Sequence, residues 1–327
     1  MLCLEGRRVL VTGAAGSIGS ELCRQIAELQ RGSGSLWMLD HDETRLFQLR
    51  DVEGERVVGS LCNGEWVERL ITQIEPDHVF HAAAYKHVPV MEGQPAQAYL
   101  NNVCALQALL AGISALGSGL TFISTDKAAE PHGIMGSSKR LGEMLCEMTT
   151  PSTIVRFGNV YGSRGSVVEL FQEKIEKREP IEITDGRMTR YFMSIKEAVG
   201  LVLEATALGP GKYVLDMGEP VAIIDLASEL IREAGLEPGI DIPLIYSHSR
   251  PGERLTETLV GDGERLMATA ADRVLRVVDA YEIDRIGVER TLNRLQRWEF
   301  DSFEADVRKC RHRSKPARQV GRSRLDD

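Results

Sequence analysis

The first 160 or so residues alternate short apolar runs with longer stretches whose apolar positions recur every three or four residues. RRVLVT, SLWMLD, HVFHAA and GLTFIS have strand length, are rich in branched and aromatic residues, and are bounded by turn-forming residues. Between the first two, SIGSELCRQIAELQ puts Ile18, Leu22, Ile26 and Leu29 at helical spacing while Glu21 and Arg24 fall elsewhere. Strands alternating with amphipathic helices predict an α/β fold with a doubly wound parallel sheet, whose ligand crevice lies at the carboxyl ends of the strands. Beyond about residue 160 the rhythm loosens into turns rich in Gly, Pro and charge, with helices expected near 195–207 and 223–234. A smaller second lobe is expected there.

Composition narrows the setting. At 327 residues, one large domain or two joined lobes are both reasonable. With 43% hydrophobic and 27% charged residues and no uninterrupted apolar run of spanning length, a protein without a membrane segment is expected. MLCLEGRRVL lacks the features of an export signal, and the six cysteines stand far apart without a CxxC pair. A cytoplasmic chain with reduced thiols and no metal site is expected. The net charge of −9 argues against nucleic-acid or anionic-membrane partners, so a phosphorylated ligand would need a local basic grip.

Four motifs follow strands, where a crevice would take them. VLVTGAAGSIGSEL sets Gly13, Gly16 and Gly19, with Ser17 and Ile18, between a strand and a helix. Glycines there let the backbone approach a pyrophosphate held on the helix N-terminus, although a plain turn has the same look. Asp40 ends the second strand, where a carboxylate can bind the adenosine ribose and repel a 2′-phosphate. It favours NAD over NADP; its plain alternative is a helix cap. After HVFH, the small Ala82, Ala83 and Ala84 permit close passage of a flat cofactor, and Lys86 and His87 then enter the crevice. In STDKAA, Thr125 can hydrogen-bond a sugar hydroxyl, Asp126 can donate a proton, and Lys127 can act as a base if desolvation makes it neutral. As a bare tripeptide, TDK is a turn with an ion pair. Lys139 lies one helical turn after Met135, placed to reach the nicotinamide ribose.

VLVTGAAGSIGSEL, HAAAYKHVPVMEGQP, STDKAA…MGSSKRLGE, RFGNVYGSRGSVV, ITDGRMTRYFMSI and RPGERLTE, in this order, resemble the UDP-N-acetylglucosamine 4,6-dehydratases of bacterial polysaccharide biosynthesis. These are extended short-chain dehydrogenases with a Rossmann sheet. The resemblance is to a soluble short form in which Met135 stands where the wider family has its catalytic Tyr, and Ser60 where it usually has Asp.

The resemblance implies catalytic roles for Thr125, Asp126, Lys127 and Lys139, and adds Asn102 to the cofactor set. It implies that Asn159, Val167, Val168, Arg190, Arg250 and Glu253 grip the uridine diphosphate end of the substrate, beside Lys86, His87 and Met135. It also implies a homo-oligomer. The expected reaction is oxidation of sugar C4 through tightly held NAD, removal of the C5 proton by Lys127, protonation of the departing 6-hydroxyl by Asp126, and reduction at C6. A UDP-sugar 4-epimerase and a non-catalytic dinucleotide sensor are the alternatives. The expected boundaries are 1–158 for the NAD-binding domain with 188–218 returning to it, 159–187 and 219–310 for the substrate lobe, and 311–327 for a basic tail.

Overall fold

The computed structural model describes residues 3–247 and 251–313. Its first half runs β1 (Arg8–Thr12), α1 (Ser17–Gln30), β2 (Ser35–Asp40), β3 (Glu55–Val58), α2 (Gly64–Ile74), β4 (His78–His81), α3 (Ala105–Leu116), β5 (Gly119–Ile123), α4 (Gly133–Thr149) and β6 (Ser152–Arg156). Then come α5 (Val167–Glu176), α6 (Ile195–Ala207), β7 (Gly211–Leu215), α7 (Ile223–Glu233), β8 (Glu264–Ala268), β9 (Val274–Asp279), α8 (Arg285–Gln296) and α9 (Phe303–Lys309). The nine-stranded sheet has the order β8-β9-β7-β6-β5-β4-β1-β2-β3. From β3 to β7 every pairing is parallel; β9 and β8 then add antiparallel.

Alternation along the strands builds a core on each face. Val9 and Val11 point into one cluster with Leu22 and Ile26 of α1 and Val199 and Val202 of α6. Leu10, between them, enters the other with Ile71, Leu109 and Leu141. The stretch Pro95–Leu116 has the length and hydropathy of a membrane span. Its Leu106, Leu109, Leu110 and Ile113 are nonetheless packed in this second core.

The expected boundary at 219–310 is corrected. β8 and β9 extend the central sheet, because Leu275 and Val274 pair with Val214 and Leu215 of β7. α8 and α9 lay Val288, Leu295, Phe303 and Val307 into the second core. A separate small core is formed by α5, α7 and the strand Ile181–Ile183, with Phe171, Ile175, Leu226 and Ile231 at its centre. Of the expected tail, Arg311–Arg313 pairs antiparallel with Tyr281–Ile283.

Candidate active site

At the carboxyl ends of the parallel strands, where the order reverses between β1 and β4, a cleft of about 1010 Å³ opens. One wall is the glycine loop. A Cβ on Gly13 would lie 2.6 Å from the backbone nitrogen of Ala83, and one on Gly19 would lie 2.0 Å from the Gly13 carbonyl oxygen. Only glycine lets β1 and α1 close so tightly against Ala82–Ala83. α1 starts without a side-chain cap and without an acidic residue in its first turn, leaving its N–H groups and dipole to an anion. Asp40 accepts hydrogen bonds from the backbone of Ala15 and Asp42, each at 3.0 Å, so it braces the loop while facing the cleft.

Gly13, Gly16, Ser17, Ile18, Gly19 and Asp40 therefore share one end of the cleft with Ser60. Ala82, Ala83, Ala84 and Lys139 line the same cleft. This open helix terminus and glycine cradle fit a dinucleotide. Asn102 does not line the cleft. It is buried, its amide Oδ1 accepts from Tyr85 N, and its Nδ2 donates to Tyr85 O and Ser138 Oγ. The expected cofactor contact is thus corrected to a brace that holds the loop after β4.

The segment after β5 carries the candidate reactive groups. Thr125 Oγ1 donates to Asp126 Oδ1 at 2.8 Å, and Lys127 Nζ donates to the same oxygen at 2.9 Å. Asp126 Oδ2 is buried without a hydrogen-bond partner among the described residues. A Cβ on Gly158, a cleft residue, would stand 3.2 Å from it, so the missing side chain leaves room beside this oxygen.

Burial pulls the Lys127 pKa down, but the carboxylates of Asp126 and Glu257 outweigh it and hold the amine above the ordinary lysine value. The neutral Lys127 that the sequence reading made conditional on desolvation is therefore not the ligand-free state. Glu257, whose Oε1 lies 3.5 Å from Lys127 Nζ, was not singled out from the sequence, although it closes the motif RPGERLTE.

Lys139 Nζ donates to the Ile123 carbonyl at 2.6 Å and lies 4.1 Å over the Phe122 ring; burial lowers its pKa to about 8. Met135 lines the cleft and packs on Met91 and Ala98. Lys86 and His87 also line the cleft; Lys86 donates to the Arg164 carbonyl at 2.8 Å, and burial lowers the pKa values of both. Asn159 and Val167 line the cleft, as does Arg164, whose side chain donates to the Ala15 carbonyl.

Three substrate expectations change. Val168 is buried in the small core rather than in the cleft. Arg190 does not line the cleft: its guanidinium donates to the carbonyls of Thr189, Arg254 and Leu255. Glu253 also lies off the cleft, and Arg250 lies outside the described residues.

The sequence profile described as polysaccharide biosynthesis protein matches residues 9–279. The chain belongs to the polysaccharide biosynthesis protein family. It is similar to the capsular polysaccharide biosynthesis protein CapD of Staphylococcus aureus, 40% identical over 311 residues, which are 89% of this chain and 51% of CapD. The chain thus spans about half the length of this family relative.

Among solved structures, Pen from Bacillus thuringiensis matches with a TM-score of 0.75 at 27% identity, covering 85% of this chain and 89% of Pen. The UDP-glucose 4-epimerase of Thermus thermophilus, solved in complex with NAD, matches with a TM-score of 0.66 at 25% identity, covering 77% of this chain and 90% of the epimerase. This family member has the Rossmann fold of the extended short-chain dehydrogenases.

Proposed function

We propose that the chain dehydrates a UDP-N-acetylhexosamine, UDP-N-acetylglucosamine in the first instance, to a 4-keto-6-deoxy sugar. The observation that carries this reading is the Asp126–Lys127 contact at 2.9 Å beside the cleft. Elimination across C5 and C6 needs an acid and a base together, whereas epimerisation at C4 needs neither at those atoms. The substrate's identity rests on the motif resemblance given above.

NAD bound in the glycine cradle would accept a hydride from sugar C4 and return one at C6. The other steps belong to side chains. Thr125, hydrogen-bonded to Asp126 Oδ1, gives the proton of the sugar 4-hydroxyl a route to Asp126. A ketone at C4 acidifies the C5 proton, which Lys127 removes once its own proton has left. Asp126 then protonates the departing 6-hydroxyl. Lys139, a cation lining the cleft, holds the ribose. This route assigns no step to an aromatic hydroxyl, which answers the presence of Met135.

Incubation with UDP-N-acetylglucosamine and mass spectrometry of the sugar nucleotide test the reading. Loss of one water supports it; an isobaric product would assign an epimerase, and no turnover with intact NAD binding a sensor. Met135→Ala is expected to reduce turnover about tenfold through lost packing on Met91 and Ala98, not the ~10²–10⁴-fold of a lost acid–base group. Steady-state kinetics check this, and complete inactivity would give Met135 a chemical role.

For the cofactor, NAD is expected to bind more tightly than NADP, because the Asp40 carboxylate faces the cleft end that would hold the adenosine ribose. Asp40→Ala should narrow the gap roughly tenfold, the size of a lost charge-assisted hydrogen bond. It should also weaken both cofactors by freeing Ala15 N. Calorimetric titration of cofactor-free protein checks it, and tighter NADP binding by the parent protein would overturn the preference.

A further inference from the structure

We propose that Glu257 is the positioning residue through which Lys127 gives up and recovers its proton, an inference that rests on the dehydratase reading. Glu257 Oε1 lies 3.5 Å from Lys127 Nζ, which also contacts Asp126 Oδ1 at 2.9 Å. Its residue is 5% exposed, and it does not line the cleft. Its segment is anchored by pairing of the neighbouring Thr256 with Thr189. Substrate would therefore cover Lys127 while Glu257 stays behind it.

An ammonium between two carboxylates is not a base. When Asp126 has taken up the 4-hydroxyl proton through Thr125, Lys127 is left with one ionised partner in a buried site. Moving a proton from Nζ to Glu257 Oε1 then removes two buried charges, which a low dielectric favours. Arg190 Nη2 lies 3.9 Å from the same Oε1, so Glu257 is held between two cationic side chains.

The elimination balances in this scheme. Lys127 passes one proton to Glu257, and its freed electron pair takes the C5 proton. The C5–H electrons form the C5–C6 double bond, the C6–O6 bond breaks, and Asp126 gives O6 its proton so that water leaves. Lys127 is again an ammonium, Asp126 a carboxylate, and Glu257 protonated. Return of a proton from Nζ to C5, paired with the nicotinamide reduction at C6 proposed above, lets Glu257 hand its proton back to Lys127.

The test begins with cofactor-free protein carrying labelled lysine, in which NMR follows Lys127 and the Lys127→Met spectrum assigns its signal. In Glu257→Gln the ammonium loses a carboxylate but keeps its burial, so its titration should move down by about one pH unit or more, at least tenfold in the amine-to-ammonium ratio. With UDP-N-acetylglucosamine, Glu257→Gln should lose water about 10²-fold more slowly at neutral pH. It should recover as pH rises through the lowered Lys127 value, where bulk base replaces Glu257.

Glu257→Asp keeps an acceptor and should restore most of the rate, which separates the proposal from misfolding. Unchanged Lys127 titration in Glu257→Gln, or dehydration with the parent's rate and pH profile, would overturn the proposal while leaving the dehydratase reading intact. A parent enzyme that releases no water would instead sink that reading, and this inference with it.

Discussion

Lys127→Met protein is expected to oxidise the sugar at C4 yet release water ~10²–10⁴-fold more slowly than the parent, the loss associated with a missing acid–base group. Thr125 and Asp126 remain to receive the 4-hydroxyl proton, so the first half of the reaction survives. Met offers no electron pair for the C5 proton, so the ketone persists and C5 does not exchange with deuterated solvent. The readout is absorbance of reduced cofactor accumulating without an 18-mass-unit loss from the sugar, a difference set by the mass of about one water in the proposed elimination.

Asp126→Asn should behave differently: C5 exchanges through Lys127 while departure of the 6-hydroxyl stalls, provided that the 4-hydroxyl proton can leave by solvent. Normal dehydration by Lys127→Met would remove Lys127 from the chemistry. Lys86 and His87, which face the same cleft, would then be the bases to test.

The difference between these two residues was partly legible in the sequence. Consecutive hydroxyl, acid and amine groups after a strand mark reactive chemistry, but only packing shows that the amine is shared with a second carboxylate 130 positions away, Glu257. Sequence spacing cannot report such a partner, because the intervening chain passes through the whole small lobe. The same reason explains Arg190. An arginine in a motif reads as a phosphate ligand, yet here the neighbouring carbonyls of Thr189, Arg254 and Leu255 take its donors. Val168 and Val167 are adjacent, but helical rotation buries Val168 wholly in the small core while Val167, partly buried against that core, also lines the cleft.

The parallel sheet was readable because its buried strands are nearly continuous apolar runs and its first helix keeps a regular apolar stripe. β8 was not. Its sequence ERLMA lies at the sheet edge, with Arg265, Leu266 and Met267 exposed, and edge strands carry a weak pattern. α8 and α9 were likewise obscured by charge, since RIGVERTLNRLQ commits only Val288, Thr291 and Leu295 to burial. They join the sheet domain through Val288 and Leu295 of α8 and Phe303 and Val307 of α9.

Arg156→Met is expected to cost about 3–5 kcal/mol of stability, the penalty of stranding a buried ionic partner. Arg156 is fully buried at the end of β6. Its Nε and Nη2 donate to the two oxygens of Glu143, each at 2.7 Å, and its Nη1 donates to Glu264 Oε2 at 2.6 Å. Arg140 adds contacts to both carboxylates at 2.8 and 3.2 Å. The cluster ties α4, which carries Lys139, to β6 and to the antiparallel strand β8.

Burial by itself pushes the Glu264 carboxyl up, but Arg156 and Arg140 outweigh it and bring its pKa down to about 2; Glu143 is depressed in the same way. A carboxyl depressed in the fold contributes stability above its ordinary value of about 4.5 and loses it as pH falls toward the folded value. The parent's cluster should therefore weaken between about pH 4.5 and 2. In Arg156→Met both carboxyls lose their main counter-charge and burial pushes them back up. The loss should therefore be largest at neutral pH, and stability should fall less between about pH 4.5 and 2 than the parent's does.

Denaturant titrations at neutral pH and at successively lower pH measure both effects. A midpoint within about 1 kcal/mol of the parent, with an unchanged acid limb, would mean that Arg140 and relaxation of β8 satisfy the two carboxylates without Arg156. Pairing Arg156→Met with Glu264→Leu should recover part of the loss, because it removes one of the stranded charges together with the cation that held it.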